Sequence, residues 1–206
     1  MRILLKQIGR RFNREWIFNR VDYSFESGKS YAILGINGSG KSTLLQVISG
    51  ALTASVGDIA YFLADKQIAV EELFKHFSLA APYLDLIEEF TLLETLDFHF
   101  NFKKRINNLD NNELVGLLDM QKSKNKQLKY FSSGMKQRVK LLLAFCSDTP
   151  LLLLDEPTAN LDEQGISWYL DLVKSFAVNN RLVIVCSNQA YEYSFCDEQI
   201  LVADYK

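Results

Sequence analysis

Residues 35–42, Gly-Ile-Asn-Gly-Ser-Gly-Lys-Ser, form a glycine-rich loop of the pattern G-x-x-x-x-G-K-[ST]. Such a loop turns backbone N–H groups inward at a helix N-terminus, and this nest attracts phosphate. An ordinary glycine turn is disfavoured by the strand predicted before the loop and the helix predicted after it. The residues expected to bind nucleotide phosphates, with Lys41 on the β- and γ-phosphates and Ser42 on Mg²⁺, are Gly35, Ile36, Asn37, Gly38, Ser39, Gly40, Lys41, Ser42 and Thr43.

Two adjacent carboxylates, Asp155 and Glu156, follow the apolar run at residues 151–154. A buried strand delivers such residues to the carboxyl edge of a sheet, where open α/β sheets bind ligands. There Asp155 can hold Mg²⁺ through its water shell, and Glu156 can polarise an attacking water. A strand that runs into a polar turn is common, so the acidic pair alone is weak evidence for a catalytic site. The phosphate loop in the same chain makes this interpretation specific. Together they predict a site that hydrolyses a nucleotide.

A third motif, Phe-Ser-Ser-Gly-Met-Lys-Gln-Arg at residues 131–138, lies between the other two and directly precedes an apolar helix. Alone it is typical of a helix start with Ser132 as N-cap. In this order along the chain it resembles the signature LSGGQ of the ATP-binding subunits of ABC transporters, with Ser for the first Gly and Met for Gln. The resemblance implies that Ser132 and Gly134 contact the γ-phosphate of an ATP held by the opposite subunit.

The resemblance covers nearly the whole chain. Residues 157–162 are similar to the family's D-loop, which runs along the dimer seam. Phe12 occupies the place of the aromatic that stacks on adenine, and Trp16 is the alternative. The fold class that this implies is α/β: a P-loop NTPase core with a mostly parallel sheet, an N-terminal antiparallel β subdomain and an inserted helical subdomain.

Two positions depart from the family pattern. Tyr83 stands where the family has the glutamine of its Q-loop, and Asn188 stands where it has a switch histidine. A tyrosine hydroxyl can bond a water near the metal. Asparagine can donate to a γ-phosphate oxygen, but it cannot carry a proton as histidine does. We therefore expect ATP hydrolysis at a reduced rate, with three catalytic residues: Lys41, Glu156 and Asn188.

The apolar pattern alternates between strands and helices. Strands are predicted at residues 2–8, 17–25, 31–34, 151–154, 182–186 and 200–203, and helices at 42–48, 91–102, 111–120 and 163–178, the third of these capped by Asp110 or Asn111. Strands separated by helices favour a mostly parallel, buried sheet. We expect one ABC ATP-binding domain over residues 1–206, with its helical subdomain at approximately 84–148.

The composition excludes several classes of protein. The 206 residues are 48% hydrophobic and carry 23 basic and 25 acidic side chains, a net charge of −2, which argues against a nucleic-acid partner. The sequence contains no run of 18 apolar residues, so no membrane-spanning helix is predicted. The three cysteines form no C-x-x-C pair, which favours a reducing compartment over a disulfide framework or zinc site. The two histidines, His76 and His99, lie outside the motifs and are expected to be structural.

From the resemblance we expect an ATPase subunit that uses ATP and Mg²⁺ and powers a separate integral-membrane permease. Two such subunits, in a homodimer or a heterodimer, would sandwich ATP head to tail. The expected location is cytoplasmic, peripheral at the inner face of the cell membrane. Two alternatives stay open: a weakly hydrolytic, nucleotide-gated regulatory subunit, and an ABC ATPase of an assembly pathway such as that for metal clusters.

Overall fold

The computed structural model describes residues 1–177 and 181–206, which form two β-sheets and a set of helices. The strands are β1 (Arg2–Phe12), β2 (Glu15–Glu26), β3 (Ser30–Leu34), β4 (Val56–Leu63), β5 (Lys66–Ile68), β6 (Phe77–Ala80), β7 (Leu151–Asp155), β8 (Leu182–Ser187) and β9 (Glu198–Leu201). The helices are α1 (Lys41–Ile48), α2 (Leu92–Phe102), α3 (Asn111–Leu118), α4 (Ser133–Phe145), α5 (Glu163–Leu172) and the short α6 (Ala190–Tyr193). Within the described ranges, none of these helices is long and apolar enough to cross a membrane.

The two sheets differ in the direction of their strands. One is antiparallel, with the order β2-β1-β4-β5, and the other is parallel, with the order β6-β7-β8-β3-β9. In the parallel sheet Leu34 of β3 pairs with Ser187 of β8, and Asp155 of β7 pairs with Cys186. The carboxyl ends of three strands therefore meet at one edge. The predicted fold class, an α/β P-loop core with an antiparallel sheet and inserted helices, is confirmed.

Strand β7 divides its side chains between two apolar cores. Leu151 and Leu153 pack into the core shared with the antiparallel sheet and α1. Leu152 and Leu154 pack into the core shared with α2, α3, α4 and α5. Because successive side chains on a strand point to opposite faces, a run of four leucines fills both cores at once. The parallel sheet is thus a middle layer, and its carboxyl edge is held from both sides.

Two helices of the inserted segment begin at capping boxes. Thr91 Oγ1 accepts from the Glu94 N–H while the Glu94 carboxylate accepts from the Thr91 N–H. Asp110 and Glu113 repeat the arrangement at α3, so Asp110 rather than Asn111 is the cap. Each box satisfies two N–H groups that the helix leaves open, which fixes the start of the helix.

Some element boundaries differ from the prediction. Strands β1 and β2 are longer than predicted, and three strands, β4, β5 and β6, were not predicted. The last strand begins earlier, at Glu198, and ends at Leu201, because the chain turns into a 3₁₀ helix over Val202–Tyr205. The helix predicted to residue 178 continues beyond α5 only as a π-helical turn, Val173–Ala177, and residue 178 lies outside the described residues.

A buried arginine joins the helical segment to the parallel sheet. The Arg181 guanidinium donates to the carbonyl oxygens of Phe145 at 2.9 Å, Thr149 at 2.9 Å and Ser147 at 3.1 Å, and to Ser78 Oγ at 3.1 Å. Burial lowers the pKa of Arg181 to about 10. No carboxylate forms an ion pair with it in the described part of the chain. Backbone dipoles therefore solvate this charge, and they tie the end of α4 to the start of β8.

Candidate nucleotide site

The phosphate loop joins the end of β3 to the start of α1 and closes around the ammonium group of Lys41. The buried Lys41 Nζ donates to the carbonyl oxygen of Gly35 at 2.8 Å and lies 3.4 Å from that of Ile36. Gly40 has a φ of +106°, and a Cβ there would lie 2.4 Å from Ile17 Cγ2 of the antiparallel sheet. Only glycine fits at Gly40. The loop is therefore a tight connection between β3 and α1 that holds the Lys41 ammonium against its own carbonyl oxygens.

Asp155 presents a carboxylate without hydrogen-bond partners at the carboxyl edge of the sheet. Both of its oxygens are buried and accept no hydrogen bond within residues 1–177 and 181–206. Burial raises the pKa of Asp155 to about 6, although the neighbouring Ser42 hydroxyl and Lys41 ammonium act in the opposite direction. A buried carboxylate without donors is costly unless a cation binds it. The donor set, one carboxylate beside one hydroxyl, fits Mg²⁺, which takes few protein ligands and completes its shell with phosphate and water.

Glu156 and Asn188 line one cavity beside the phosphate loop. This cavity has a volume of about 250 Å³ and is bounded by Asn37, Glu156, Thr158, Ala159, Asn188, Gln189, Tyr191 and Glu192. Asn188 follows β8, and its Nδ2 donates to Asn37 Oδ1 of the loop at 2.9 Å. Glu156 has a φ of +42°, a conformation that is unfavourable for a residue with a side chain. The structure thus brings the two predicted residues together beside the phosphate loop.

Tyr83, which stands in the position of the family's Q-loop glutamine, lies near the acidic edge. It follows β6, two residues beyond the buried Ala81. Burial and, secondarily, the charge of Asp155 raise the pKa of Tyr83 to about 12. Its hydroxyl therefore stays protonated and can donate to a water or a phosphate oxygen near Asp155.

The signature motif lies at the start of α4, beside a second cavity. Ser132 is the N-cap of this helix, and its Oγ accepts from the Met135 N–H at 3.2 Å. A Cβ on Gly134 would lie 2.8 Å from the carbonyl oxygen of Asn160, so a glycine is needed here. The cavity has a volume of about 260 Å³ and is lined by Ser132, Ser133, Gly134, Met135, Arg138, Asn160, Leu161 and Asp162.

Residues 156–162 connect the two cavities. Glu156, Thr158 and Ala159 line the cavity beside the phosphate loop, whereas Asn160, Leu161 and Asp162 line the signature cavity. Gln137 of α4 donates to the carbonyl oxygen of Pro157 at 2.8 Å and holds the segment against the helix. The signature and the phosphate loop therefore border separate cavities, and one short segment reaches both.

The two aromatic candidates for an adenine platform lie near the turn of the β1–β2 hairpin. The side chain of Phe12 is 47% exposed and that of Trp16 is 37% exposed. An arginine stacks on each ring: the Arg10 guanidinium lies 4.6 Å from the centroid of Phe12, and that of Arg11 lies 5.5 Å from the centroid of Trp16. Phe12 offers more open surface and stays the predicted platform.

Motif spacing missed one residue of the site, Glu192. It lies in the short α6 and is buried against the cavity of Glu156 and Asn188, where its carboxylate accepts hydrogen bonds from Thr158 and Ser187. The only sequence signal is an isolated acidic residue in an aromatic stretch.

Of the two histidines, His99 lies among the inserted helices, and its Nε2 lies 2.9 Å from Ser147 Oγ. Burial lowers the pKa of His99 to about 4, which keeps it neutral.

A phosphate loop at the end of β3, an acidic pair at the end of β7 and an inserted helical segment define a P-loop ATPase. The family model described as ABC transporter matches residues 18–159, and the chain belongs to the ABC transporter family as an ATP-binding subunit with ATPase activity. It is 31% identical over 198 residues to YybJ of Bacillus subtilis (strain 168), an uncharacterised ABC transporter ATP-binding protein, covering 91% of this chain and 86% of that protein.

Two solved structures share the fold. The structure of an ATP-binding subunit of an ABC transporter superposes with a TM-score of 0.81 at 24% identity, covering 98% of this chain and 85% of the other. The dimeric post-hydrolysis state of the ATP-binding cassette MJ0796, bound to ADP and Pi, superposes with a TM-score of 0.80 at 20% identity. It covers 97% of this chain and 93% of the other.

Replacing Asp155 by asparagine tests the burial of an unpaired carboxylate. Its folded pKa is about 6 and its ordinary value is 3.8, so ionisation increasingly opposes folding as the pH rises between these values. We expect the free energy of unfolding of Asp155→Asn to rise relative to the native chain by about 2 kcal/mol between about pH 4 and pH 7. Urea unfolding without nucleotide measures this difference.

The exposed carboxylate Asp58, replaced by asparagine, is the matched control. A difference between Asp155→Asn and the native chain that stays constant with pH would contradict the prediction.

Proposed function

We propose that two copies of this subunit close head to tail on two ATP molecules. The observation that carries this proposal is the separation of the two cavities: Ser132 and Gly134 border one, and Glu156 and Asn188 border the other. A second subunit whose signature faces the phosphate loop would complete each site. Residues 156–162 would then lie at the seam, because they reach both cavities. The dimeric state of the structural neighbour supports this arrangement.

Each residue has a distinct role in the proposed reaction. Lys41 leaves its loop carbonyls for the phosphates and balances the charge that develops on the transferred phosphoryl group. Ser42 and Asp155 would hold Mg²⁺, which supplies positive charge to the phosphate oxygens. Glu156 orients and deprotonates the attacking water. Asn188 donates to the γ-phosphate in place of Asn37, while Phe12 stacks on the adenine.

We infer that the chain acts as one ATP-binding unit over residues 1–206 and that its helical part, approximately 84–148, docks on a separate membrane permease. An exposed aromatic row on α2 supports this docking. Phe98 is 46% exposed and Phe102 is 74% exposed, and their rings pack edge to face with centroids 5.4 Å apart. Exposed apolar patches mark interaction sites. Tyr83 lies between this part of the chain and Asp155, so docking and metal binding can affect each other. The subunit would then be cytoplasmic and peripheral at the inner face of the cell membrane.

A second candidate function, a weakly hydrolytic regulatory subunit, is favoured by Asn188. Its amide donates a hydrogen bond but cannot accept a proton and carry positive charge, as a histidine could. Such a subunit would bind ATP tightly, turn over slowly and pair with a more active partner. Glu156, which faces the same cavity, argues for hydrolysis.

Glu156→Gln is expected to trap an ATP-bound dimer, because the amide still fits the cavity but cannot take a proton from water. We expect the rate of phosphate release to fall about 100-fold or more, and light scattering to show dimers with ATP and monomers with ADP. Glu71→Gln, at an exposed glutamate, is the matched control. A Glu156→Gln variant that stays monomeric with ATP and hydrolyses it at the native rate would refute the proposed role.

Two variants of Asn188 separate the two candidate functions. Asn188→Ala removes the amide that reaches Asn37, and we expect phosphate release to slow by about tenfold. Asn188→His restores a group that can carry a proton, and we expect it to be faster than the native chain. Single-turnover hydrolysis with protein in excess measures both rates. If neither substitution changes the rate, Asn188 has no part in γ-phosphate recognition.

The docking surface is tested by Phe98→Ser combined with Phe102→Ser. In cells of the source organism, we expect the tagged native chain to sediment with membranes and to copurify with an integral-membrane protein. The double variant should lose this association several-fold while it keeps its ATP affinity, because exposed aromatic anchors dominate such interfaces. Leu201→Ser, at an exposed leucine on β9, is the control. An unchanged membrane fraction for the double variant would contradict docking at α2.

A further inference from the structure

Glu192 is a buried carboxylate that the proposed reaction does not use. Its side chain is 2% exposed, and no ion pair neutralises it among residues 1–177 and 181–206. A buried charge of this kind is retained only where hydrogen bonds compensate its lost hydration. The contacts of Glu192 therefore indicate what it stabilises.

Three donors converge on this carboxylate from two segments of the chain. The Thr158 N–H donates to Oε1 at 2.8 Å, and the Thr158 hydroxyl donates to the same oxygen. The Ser187 hydroxyl donates to Oε2. Hydrogen bonds to an ionised acceptor are roughly twice as strong as neutral ones. The carboxylate thus clamps the middle of residues 156–162 to the end of β8.

The clamp lies next to both predicted catalytic residues of the cavity. Thr158 is two residues beyond Glu156, and Ser187 directly precedes Asn188. The Tyr191 hydroxyl contacts Thr158 Oγ1 at 3.2 Å, and Ser187 Oγ accepts from the Gln189 N–H at 2.8 Å. The backbone on either side of the cavity is therefore fixed through one side chain.

We propose that Glu192 is a positioning residue for ATP hydrolysis, which fixes Glu156 and Asn188 relative to each other by binding Thr158 and Ser187. This inference rests on the proposed function. It goes further by placing the control of geometry in a residue to which the proposed reaction assigns no nucleotide or metal contact. Because residues 160–162 border the signature cavity, the same clamp limits how far movement at the seam can displace Glu156.

A purely structural role would support the fold without affecting the chemical step. Tyr169 provides the comparison, because its hydroxyl donates to the backbone carbonyl oxygen of Glu192 at 2.8 Å. Tyr169→Phe removes support for the main chain of α6 and leaves the carboxylate contacts in place. It is therefore the matched control for a loss of stability without a loss of positioning.

The test compares Glu192→Ala, Glu192→Gln and Tyr169→Phe in the full chain. We expect Glu192→Ala to lower kcat at least about tenfold, because small displacements of catalytic groups are costly, and to leave KM for ATP within about threefold. Glu192→Gln should recover most of kcat, because its amide oxygen still accepts from Thr158 and its NH₂ group can donate to Ser187. Tyr169→Phe should keep the native kcat even where its unfolding midpoint is lower.

Double-mutant analysis keeps the inference falsifiable if Glu192→Ala folds poorly. Thr158→Val removes one hydroxyl donor and retains the N–H, and Ser187→Ala removes the other hydroxyl donor. Each should lower kcat, and the two effects on kcat should be non-additive because both act through Glu192. Three results would each overturn the positioning role. They are a native kcat in Glu192→Ala, an equal loss of kcat in Glu192→Ala and Tyr169→Phe, and full additivity of the two hydroxyl substitutions. Glu156→Gln separates this failure from a failure of the proposed function. If Glu156→Gln hydrolyses ATP at the native rate, the proposed function fails; if it loses hydrolysis while Glu192→Ala keeps the native kcat, only the positioning role fails.

Discussion

The parallel pairing of β8 with β3 on one side and with β7 on the other determines where the chemistry can take place. This register aligns the last residues of three strands, so the phosphate loop, Asp155 and Asn188 arise at one edge although they are far apart in sequence. In open α/β sheets, ligands bind in the crevice outside the carboxyl ends of the strands, which is this edge. The two apolar cores cover the two faces of this sheet and hold that edge in place.

The edge concentrates unfavourable features that a nucleotide would relieve. Among residues 1–177 and 181–206, the buried Asp155 carboxylate accepts no hydrogen bond and the Lys41 ammonium is bound only by loop carbonyls, while Glu156 has a positive φ. Each feature costs stability by itself, and a phosphate with its cation would supply the compensating charges. Part of the binding free energy at this site therefore comes from new interactions with charged groups that the fold has already brought into position.

Sequence patterns predicted the parts of the molecule that depend on local chemistry. The phosphate loop needs glycines and a lysine at fixed spacing, and β7 is recognisable as four leucines followed by Asp155 and Glu156. The strands that were missed lack such signals: β6 has four residues, and β4 begins with Val56, Gly57 and Asp58, which show no alternation. Glu192 could not be predicted either, because its partner Thr158 lies 34 residues away in sequence and only the fold brings the two together.

The buried Arg181 has a consequence for how the signature is held. It binds carbonyl oxygens at the C-terminal end of α4, so the helix is anchored at the end of the sheet opposite the nucleotide. Ser132 caps the other end, about 20 Å away for a helix of 13 residues. The helix is then a rigid rod fixed at its base, and a tilt of about 5° would shift its tip by almost 2 Å. Arg181 provides the pivot, while the contacts of Gln137 and Gly134 with residues 157–160 decide where the tip points.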